Sequence, residues 1–440
     1  MIKVSNSIRL FTSQLSRHLI LVFTGNIFAA GLGLLVILII SKVLTVNDFG
    51  LFSITLSVIL IAPPLSSLGT NTSMIKFVSS YLCRGKNAEA VQVLRLILYL
   101  RMVTSFILAV TIFNTAVFLS RKVFQCPDLP PLLKLAAFGV LFVSILDYLK
   151  NVLYTYKMFK KYIVLQLLVD LAKLLTVCIL IFSLKLNIFS AVFVFMFIPL
   201  LGILFGFWLI RPILLSKRKL IKDLLGQLFS YSKWAFVNSI CYGIFPYIAI
   251  FMLAKMLSIK AAGIYGLAHN LTYIFPILFL SLRAVLLPEV SRFREIEQFE
   301  KYVKGALKIS LCLTIFIIPF LFLSKKIILF LFGLRYLDSI AIFNWLLLSY
   351  IPFTISSSIR SALYSMNKPH TIAVVELFRV TVMILGCYLL IPFFGILIPA
   401  ILALIINVIA LGFLIMYVFK YIHEGKAVFQ NEETAELPYS

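Results

Sequence analysis

Ser41-Lys42-Val43-Leu44-Thr45 is followed by Gly50-Leu51-Phe52, and Ala254-Lys255-Met256-Leu257-Ser258 is followed by Gly263-Ile264-Tyr265. The spacing is the same in both stretches, at an offset of 213 residues, and that offset also carries Pro63 onto Pro276. Further along, Lys150-Asn151-Val152-Leu153-Tyr154-Thr155 matches Arg360-Ser361-Ala362-Leu363-Tyr364-Ser365 at an offset of 210. Biased composition would not carry polar and proline positions together at nearly one offset. The chain reads as two copies of one unit.

The unit is a membrane unit. Of 440 residues, 62% are hydrophobic and 13% charged, against about 25% charged in soluble domains. No soluble core could hide this much apolar surface, so the solvent must be a bilayer. At about 20 apolar residues per crossing, spans fall near 19–41, 50–70, 96–119, 132–154, 163–183, 189–210, 231–257, 263–287, 305–324, 337–359, 372–391 and 395–419. The fold class is therefore an all-α integral membrane protein of about twelve transmembrane helices in two six-helix bundles. The bundles occupy residues 1–216 and 217–420, and a polar, acidic tail at 421–440 (Glu432, Glu433, Glu436) is expected to be disordered and cytosolic. Lys3, Arg9 and Arg17 ahead of the first run look like a signal-peptide start. That run is long enough to span and no small-residue cleavage site follows, so it reads as a retained first helix.

The net charge of +24 would suggest nucleic acid in a soluble protein. Here the basic residues lie in short segments between apolar runs and form no single face, so no nucleic-acid partner is expected. With the N-terminus in the cytosol, about 22 basic residues fall on the cytosolic side and about nine on the other. Both termini are then cytosolic, and Trp208 and Trp234 sit at cytosolic span ends. The six cysteines show no paired spacing and no Cys/His cluster, which gives neither a disulfide framework nor a metal site. The longest outer loop lies around Arg121 to Pro131. A membrane glycan polymerase or ligase would need a large outer loop bearing Arg or His, so an enzyme is not expected. A repeated filter motif, which a channel would need, is also missing.

An even number of spans per unit inserts both copies the same way up, related by an axis along the membrane normal. Parallel repeats of this kind enclose a cavity between two lobes. A charge at mid-bilayer costs about 2.5–3.5 kcal/mol, so charges inside spans should face that cavity or a partner. The candidates for contacting an anion are Arg101, Lys150, Lys173, Arg283, Arg360 and Arg379, and those for gating or coupling are Asp147, Asp170 and Glu376. Nearly all lie in the cytosolic half of their helices. They imply a basic vestibule that loads an anionic head group, such as a pyrophosphate, from the inner leaflet. Asp147/Lys150, Asp170/Lys173 and Glu376/Arg379 are spaced i,i+3 on one helix face. Each pair either neutralises itself to ease insertion or lines the cavity. Arg283 has no acid three or four residues away. Gly202 and Gly206 read as a helix-packing motif, and Pro63, Pro64, Pro246 and Pro276 as kinks.

The motif from Lys42 to Phe52, the Pro63-Pro64 helix, the basic segment Lys76 to Lys86, Leu153-Tyr154 before Lys160-Lys161, and the motif from Lys255 to Tyr265 together resemble Wzx-type polysaccharide flippases. These share a superfamily with multidrug and toxin extrusion (MATE) transporters and lipid II flippases. The resemblance covers residues 10–420 and implies two six-helix bundles around a V-shaped cavity with alternating access. It also implies an undecaprenyl-pyrophosphate-linked oligosaccharide as cargo, for O-antigen, lipopolysaccharide or capsule-type glycans, across the cell inner membrane. The partners implied are that lipid-linked oligosaccharide, membrane lipids, and polysaccharide-assembly proteins such as a polymerase or chain-length regulator. No cofactor is expected; a proton, Na⁺ or the membrane potential would supply the driving force. Many relatives carry an acid in the seventh helix, where Pro246-Tyr247 stands here, which argues against cation coupling through that helix. The alternative is a cation-coupled multidrug exporter, which would need an apolar cavity containing acids.

The topology is open to a direct check. In a cysteine-free background, a membrane-impermeant thiol reagent added to intact cells should label Arg121→Cys and spare Lys160→Cys. The reverse pattern would invert the orientation.

Overall fold

The structure is a computed structural model that describes residues 2–214, 224–276, 314–315, 317–365 and 369–435. In hydrocarbon, only a helix or a closed barrel satisfies its own backbone, and the described residues form helices without strands. The first half contains α1 (Ile2–Val43), α2 (Val46–Ser67), α3 (Thr70–Cys83), α4 (Asn87–Phe118), α5 (Leu129–Thr155), α6 (Phe159–Phe182) and α7 (Ile188–Leu214). The second contains α8 (Leu224–Met256), α9 (Ile259–Thr272), α10 (Ile318–Phe332), α11 (Ser339–Ser365), α12 (Pro369–Phe394) and α13 (Ile398–Ala435).

Nine stretches among the described residues are long and apolar enough to cross a bilayer, and the last, His370–Lys420, holds both α12 and α13. Ten of the twelve expected spans are thereby present. The eighth begins in α9, and the ninth is described only from its C-terminal end in α10; the rest of both lies outside the described residues.

The repeat governs the helix ends. The ends of α1 and α8, and the starts of α2 and α9, differ by 213 residues. Both ends of α5 and α11 differ by 210, as do the starts of α6 and α12 and of α7 and α13. The caps repeat too. Thr45 Oγ1 accepts from the Asp48 N–H at 3.1 Å, and its counterpart Ser258 Oγ accepts from the Ala261 N–H at 3.1 Å. Each satisfies a first-turn donor that has no partner within its helix. Packing follows the same plan: α1 lies on α6 and α5 on α7, while α8 lies on α12 and α11 on α13.

The halves meet where α2 crosses α9. A Cβ on Gly50 would strike the Ile259 carbonyl oxygen, and one on Gly263 would come within 2.6 Å of the Val46 oxygen and 2.8 Å of the Gly50 nitrogen. One turn further along, a Cβ on Gly266 would lie 2.6 Å from Ser53 Oγ. Two backbones touch here because neither carries a side chain. Gly202 has the packing role expected of it, since a Cβ there would strike Val169 and Leu146.

Two regions depart from the sequence reading. Residues 70–83, expected as part of a cytosolic connection, form the separate helix α3. Leu68 (φ 47°) and Gly69 (φ 72°) are both left-handed, which breaks the chain after α2 despite Pro63 and Pro64 lying inside that helix. Gly69 has a second reason to be glycine, because a Cβ would strike the Phe236 nitrogen. At about 1.5 Å per residue, the fourteen residues of α3 rise too little to span. At the other end, α13 continues to Ala435 where disorder was expected. The Ala, Glu, Lys and Gln residues of that segment are good helix formers.

Gly50→Val should lower thermal stability in detergent by about 3 kcal/mol, the upper range for overpacking. Gly31, with open space for 4 Å around the position a Cβ would take, should accept alanine without loss.

Candidate functional site

A cavity of about 660 Å³ opens among α1, α2, α5, α6 and α7, with Tyr247, Asn270 and Tyr273 closing it from the second half. Small residues on α1 make the room: Asn26, Ala29, Ala30 and Gly33 line it at i, i+3, i+4 and i+7, one helical face. Proline-bearing stretches of α2 and α7 form further wall through Pro63 and Pro199.

Four of the expected charges lie on this wall: Asp147 and Lys150 from α5, Asp170 and Lys173 from α6. Their pairing differs from helix spacing alone. Asp147 does not take Lys150. Its Oδ2 accepts from Arg101 Nη1 at 3.2 Å and from Asn71 Nδ2 at 3.4 Å. Asp170 does pair within its helix, accepting from Lys173 Nζ at 3.1 Å through Oδ1 and from Gln166 Nε2 at 2.5 Å through Oδ2. Lys173 also stands 5.3 Å from the Phe195 ring centre. Lys150 makes no ion pair with any described residue. Both carboxylates of the wall have closer cations as partners, one of them Arg101 from outside the wall, so Lys150 is the charge of these four without an ion pair.

Arg101, expected to contact cargo, does not line the cavity. It is 1% exposed and bridges four groups. Its Nη1 donates to the Pro63 carbonyl at 3.0 Å, to Ser66 Oγ at 3.3 Å and to Asp147, and its Nη2 donates to Asn71 Oδ1 at 2.6 Å. It thereby fastens α4 to α2, α3 and α5.

Arg360, Glu376 and Arg379 do not line the cavity either. They form a buried cluster in the second half, with each guanidinium 2.6 Å from Glu376. Arg379 Nη2 donates to Asn407 Oδ1 at 2.9 Å, and Asn407 Nδ2 donates to the Ser349 carbonyl at 3.1 Å. Arg379 lies 4.1 Å from the Phe245 ring centre and Arg360 lies 5.7 Å from that of Phe353. Two cations share one carboxylate here, and ring faces supply further negative potential. The cluster ties α11, α12 and α13 together and reaches α8. Arg283 lies outside the described residues.

Charge counting missed the neutral wall. Asn26, Tyr154, Tyr162, Gln166, Tyr247 and Asn270 all line the cavity. One signal was available: Gln166 and Asp170, at i,i+4, share a face of α6. Among the described residues, no three His, Cys, Asp or Glu side chains gather to hold a metal ion.

Residues 15–294 match the family model described as polysaccharide biosynthesis protein. The chain belongs to that family. Its fold is that of the superfamily that the sequence motifs resemble. The lipid II flippase MurJ in an inward closed conformation aligns with a TM-score of 0.73 at 14% identity, covering 96% of this chain and 94% of that one. An inward-facing multidrug resistance MATE family transporter aligns with a TM-score of 0.71 at 14% identity, covering 90% and 96%. A mutant of the Vibrio cholerae MATE transporter VcmN aligns with a TM-score of 0.71 at 15% identity, covering 94% and 98%. At these identities the likeness is one of fold. No curated protein sequence matches the chain.

The two kinds of charge should separate in stability measurements on the purified protein. Glu376→Ala strands two buried guanidinium groups and should cost about 3–5 kcal/mol. Lys150→Ala removes an unpaired ammonium and should leave the unfolding midpoint close to that of the wild type.

Proposed function

We propose that this protein is a flippase that carries an undecaprenyl-pyrophosphate-linked oligosaccharide repeat unit across the bacterial cytoplasmic membrane. The cargo moves from the inner to the outer leaflet by alternating access, in the biosynthesis of O-antigen or another surface polysaccharide, and both termini are cytosolic. The observation that carries this reading is Lys150, a cation without an ion-pair partner on the wall of a mostly apolar cavity that its two lysines, two aspartates, amides and tyrosines make polar in places. An ammonium held in a site of low dielectric gains strongly from a phosphate oxygen. The cavity volume lies within the range of about 300–1,000 Å³ typical of ligand sites. Family membership and the fold shared with MurJ support the same reading. The tyrosines and amides of the wall suit sugar hydroxyls, because each offers both a flat apolar face or stem and a hydrogen-bonding tip.

The chemistry is transport without a covalent step. Sugars and pyrophosphate cross unaltered while the lipid chain stays in hydrocarbon. Asp147 and Asp170, each already held by a cation, are the groups through which a proton, Na⁺ or the membrane potential would act on the site. A cation-coupled drug exporter is the second reading. It draws on the same two acids beside the aromatic wall, and the fold neighbours include MATE transporters.

Deletion should remove surface polysaccharide and leave the lipid-linked intermediate accumulating on the inner face. Lys150→Ala should do the same with the protein still present in the membrane, and Lys150→Arg should restore part of the glycan. Normal surface glycan in the deletion strain, together with drug resistance on overexpression, would replace this reading with the exporter.

A further inference from the structure

Lys150 has two carboxylates on its own wall and pairs with neither. Asp147 lies one turn away at i,i+3, the spacing at which an acid and a base on one helix meet. Its carboxylate is instead drawn across to α4 by Arg101 at 3.2 Å and to α3 by Asn71 at 3.4 Å. Asp170 is held by Lys173 and Gln166.

The second half shows the outcome where no such arrangement exists. Lys150 corresponds to Arg360 and Gln166 to Glu376, both at the offset of 210. There the cation has a carboxylate at 2.6 Å, which it shares with Arg379. In the first half a neutral amide replaces that carboxylate. Two acids remain nearby, Asp147 and Asp170, and their counterparts in the second half, Ser357 and Val380, are uncharged. Both acids are thus peculiar to the open site: Lys173 and Gln166 hold Asp170 from its own helix, and Arg101 holds Asp147 from another. Arg101 is 1% exposed and does not line the cavity, so it reaches cargo only through other residues.

We propose that Arg101 is a positioning residue of the anion site: by holding Asp147 it keeps Lys150 free for the phosphate of the cargo. This rests on the reading of Lys150 as the anion contact. Arg101 sets the effective charge of a site it never touches, because without it Asp147 is released to pair with Lys150 and the site becomes neutral toward an anion. The role is distinct from fastening helices, since it operates only while both Asp147 and Lys150 are present.

A binding cycle tests it, with undecaprenyl pyrophosphate titrated into purified protein in lipid nanodiscs. Lys150→Ala and Arg101→Ala should each weaken binding by about tenfold or more, as expected for loss of a hydrogen bond between charged groups. The double variant should bind no more weakly than Lys150→Ala alone, and Arg101→Ala/Asp147→Asn should return to near wild-type affinity. Arg101→Gln, whose amide can still donate to Pro63 or Asn71, provides the same comparison if the alanine variant does not fold. It should weaken binding in the wild-type background and have no effect alongside Asp147→Asn. Wild-type affinity in either Arg101 variant would overturn the proposal while leaving Lys150 as the contact. So would losses that add in the double variant. Unchanged affinity in Lys150→Ala would overturn both readings.

Discussion

Charge placed in hydrocarbon has to be met inside the protein, and much of the helix packing here follows from how each charge is met. Arg101 draws four helices together because its donors find a carbonyl, a hydroxyl, an amide and a carboxylate on three neighbours. Arg360, Glu376, Arg379 and Asn407 do the equivalent for the last three helices. Such clusters add little net stability over an apolar core, but they are costly to break, since each partner left behind is an uncompensated buried charge. They act as fixed joints within each half. The room left for function is what these joints enclose without filling.

The two halves share a plan and differ in chemistry. Helix ends, caps and packing partners repeat, yet one position is an unpaired lysine beside a cavity and its counterpart is an arginine locked to a glutamate. A carrier needs only one of its lobes to grip the charged part of the cargo. The other then serves as a rigid body against which the first can move, and an ion-paired, ring-packed cluster suits that purpose. Tyr247, Asn270, Tyr273 and Ile274 are the second half's contribution to the shared wall, and they are uncharged.

Architecture was legible in the sequence because it is written in periodic and repeated features. Span lengths follow from the bilayer, and the offsets of 213 and 210 between matching motifs reappear as offsets between helix ends. Pairing was legible only within a helix. Asp170 with Lys173 and Glu376 with Arg379 are local, and spacing found them. Arg101 with Asp147 and Arg360 with Glu376 join different helices, and i,i+3 logic assigned Asp147 to the wrong partner. Nor could composition tell a cavity face from a packing face. Asn26, Ala29, Ala30 and Gly33 carry no charge, and the same small residues would pack a helix crossing equally well. Helix α3 was hidden for a further reason: a fourteen-residue segment of mixed polarity gives no span signal, and its start depends on two left-handed residues.

The seam between α2 and α9 says something about origin. Gly50 lies against the carbonyl of Ile259, and Gly263 lies against the carbonyl of Val46. Val46 and Ile259 are counterparts at the offset of 213, as are the two glycines. A contact in which residue i meets j while j meets i is the mark of a two-fold homodimer. The surface that now joins the lobes is therefore one that two separate copies of a six-helix protein could have used to recognise each other. In such an ancestor, a single glycine codon would have cleared both sides of the interface at once. Within one chain the two cationic sites differ, while the surface that pairs the halves is reciprocal.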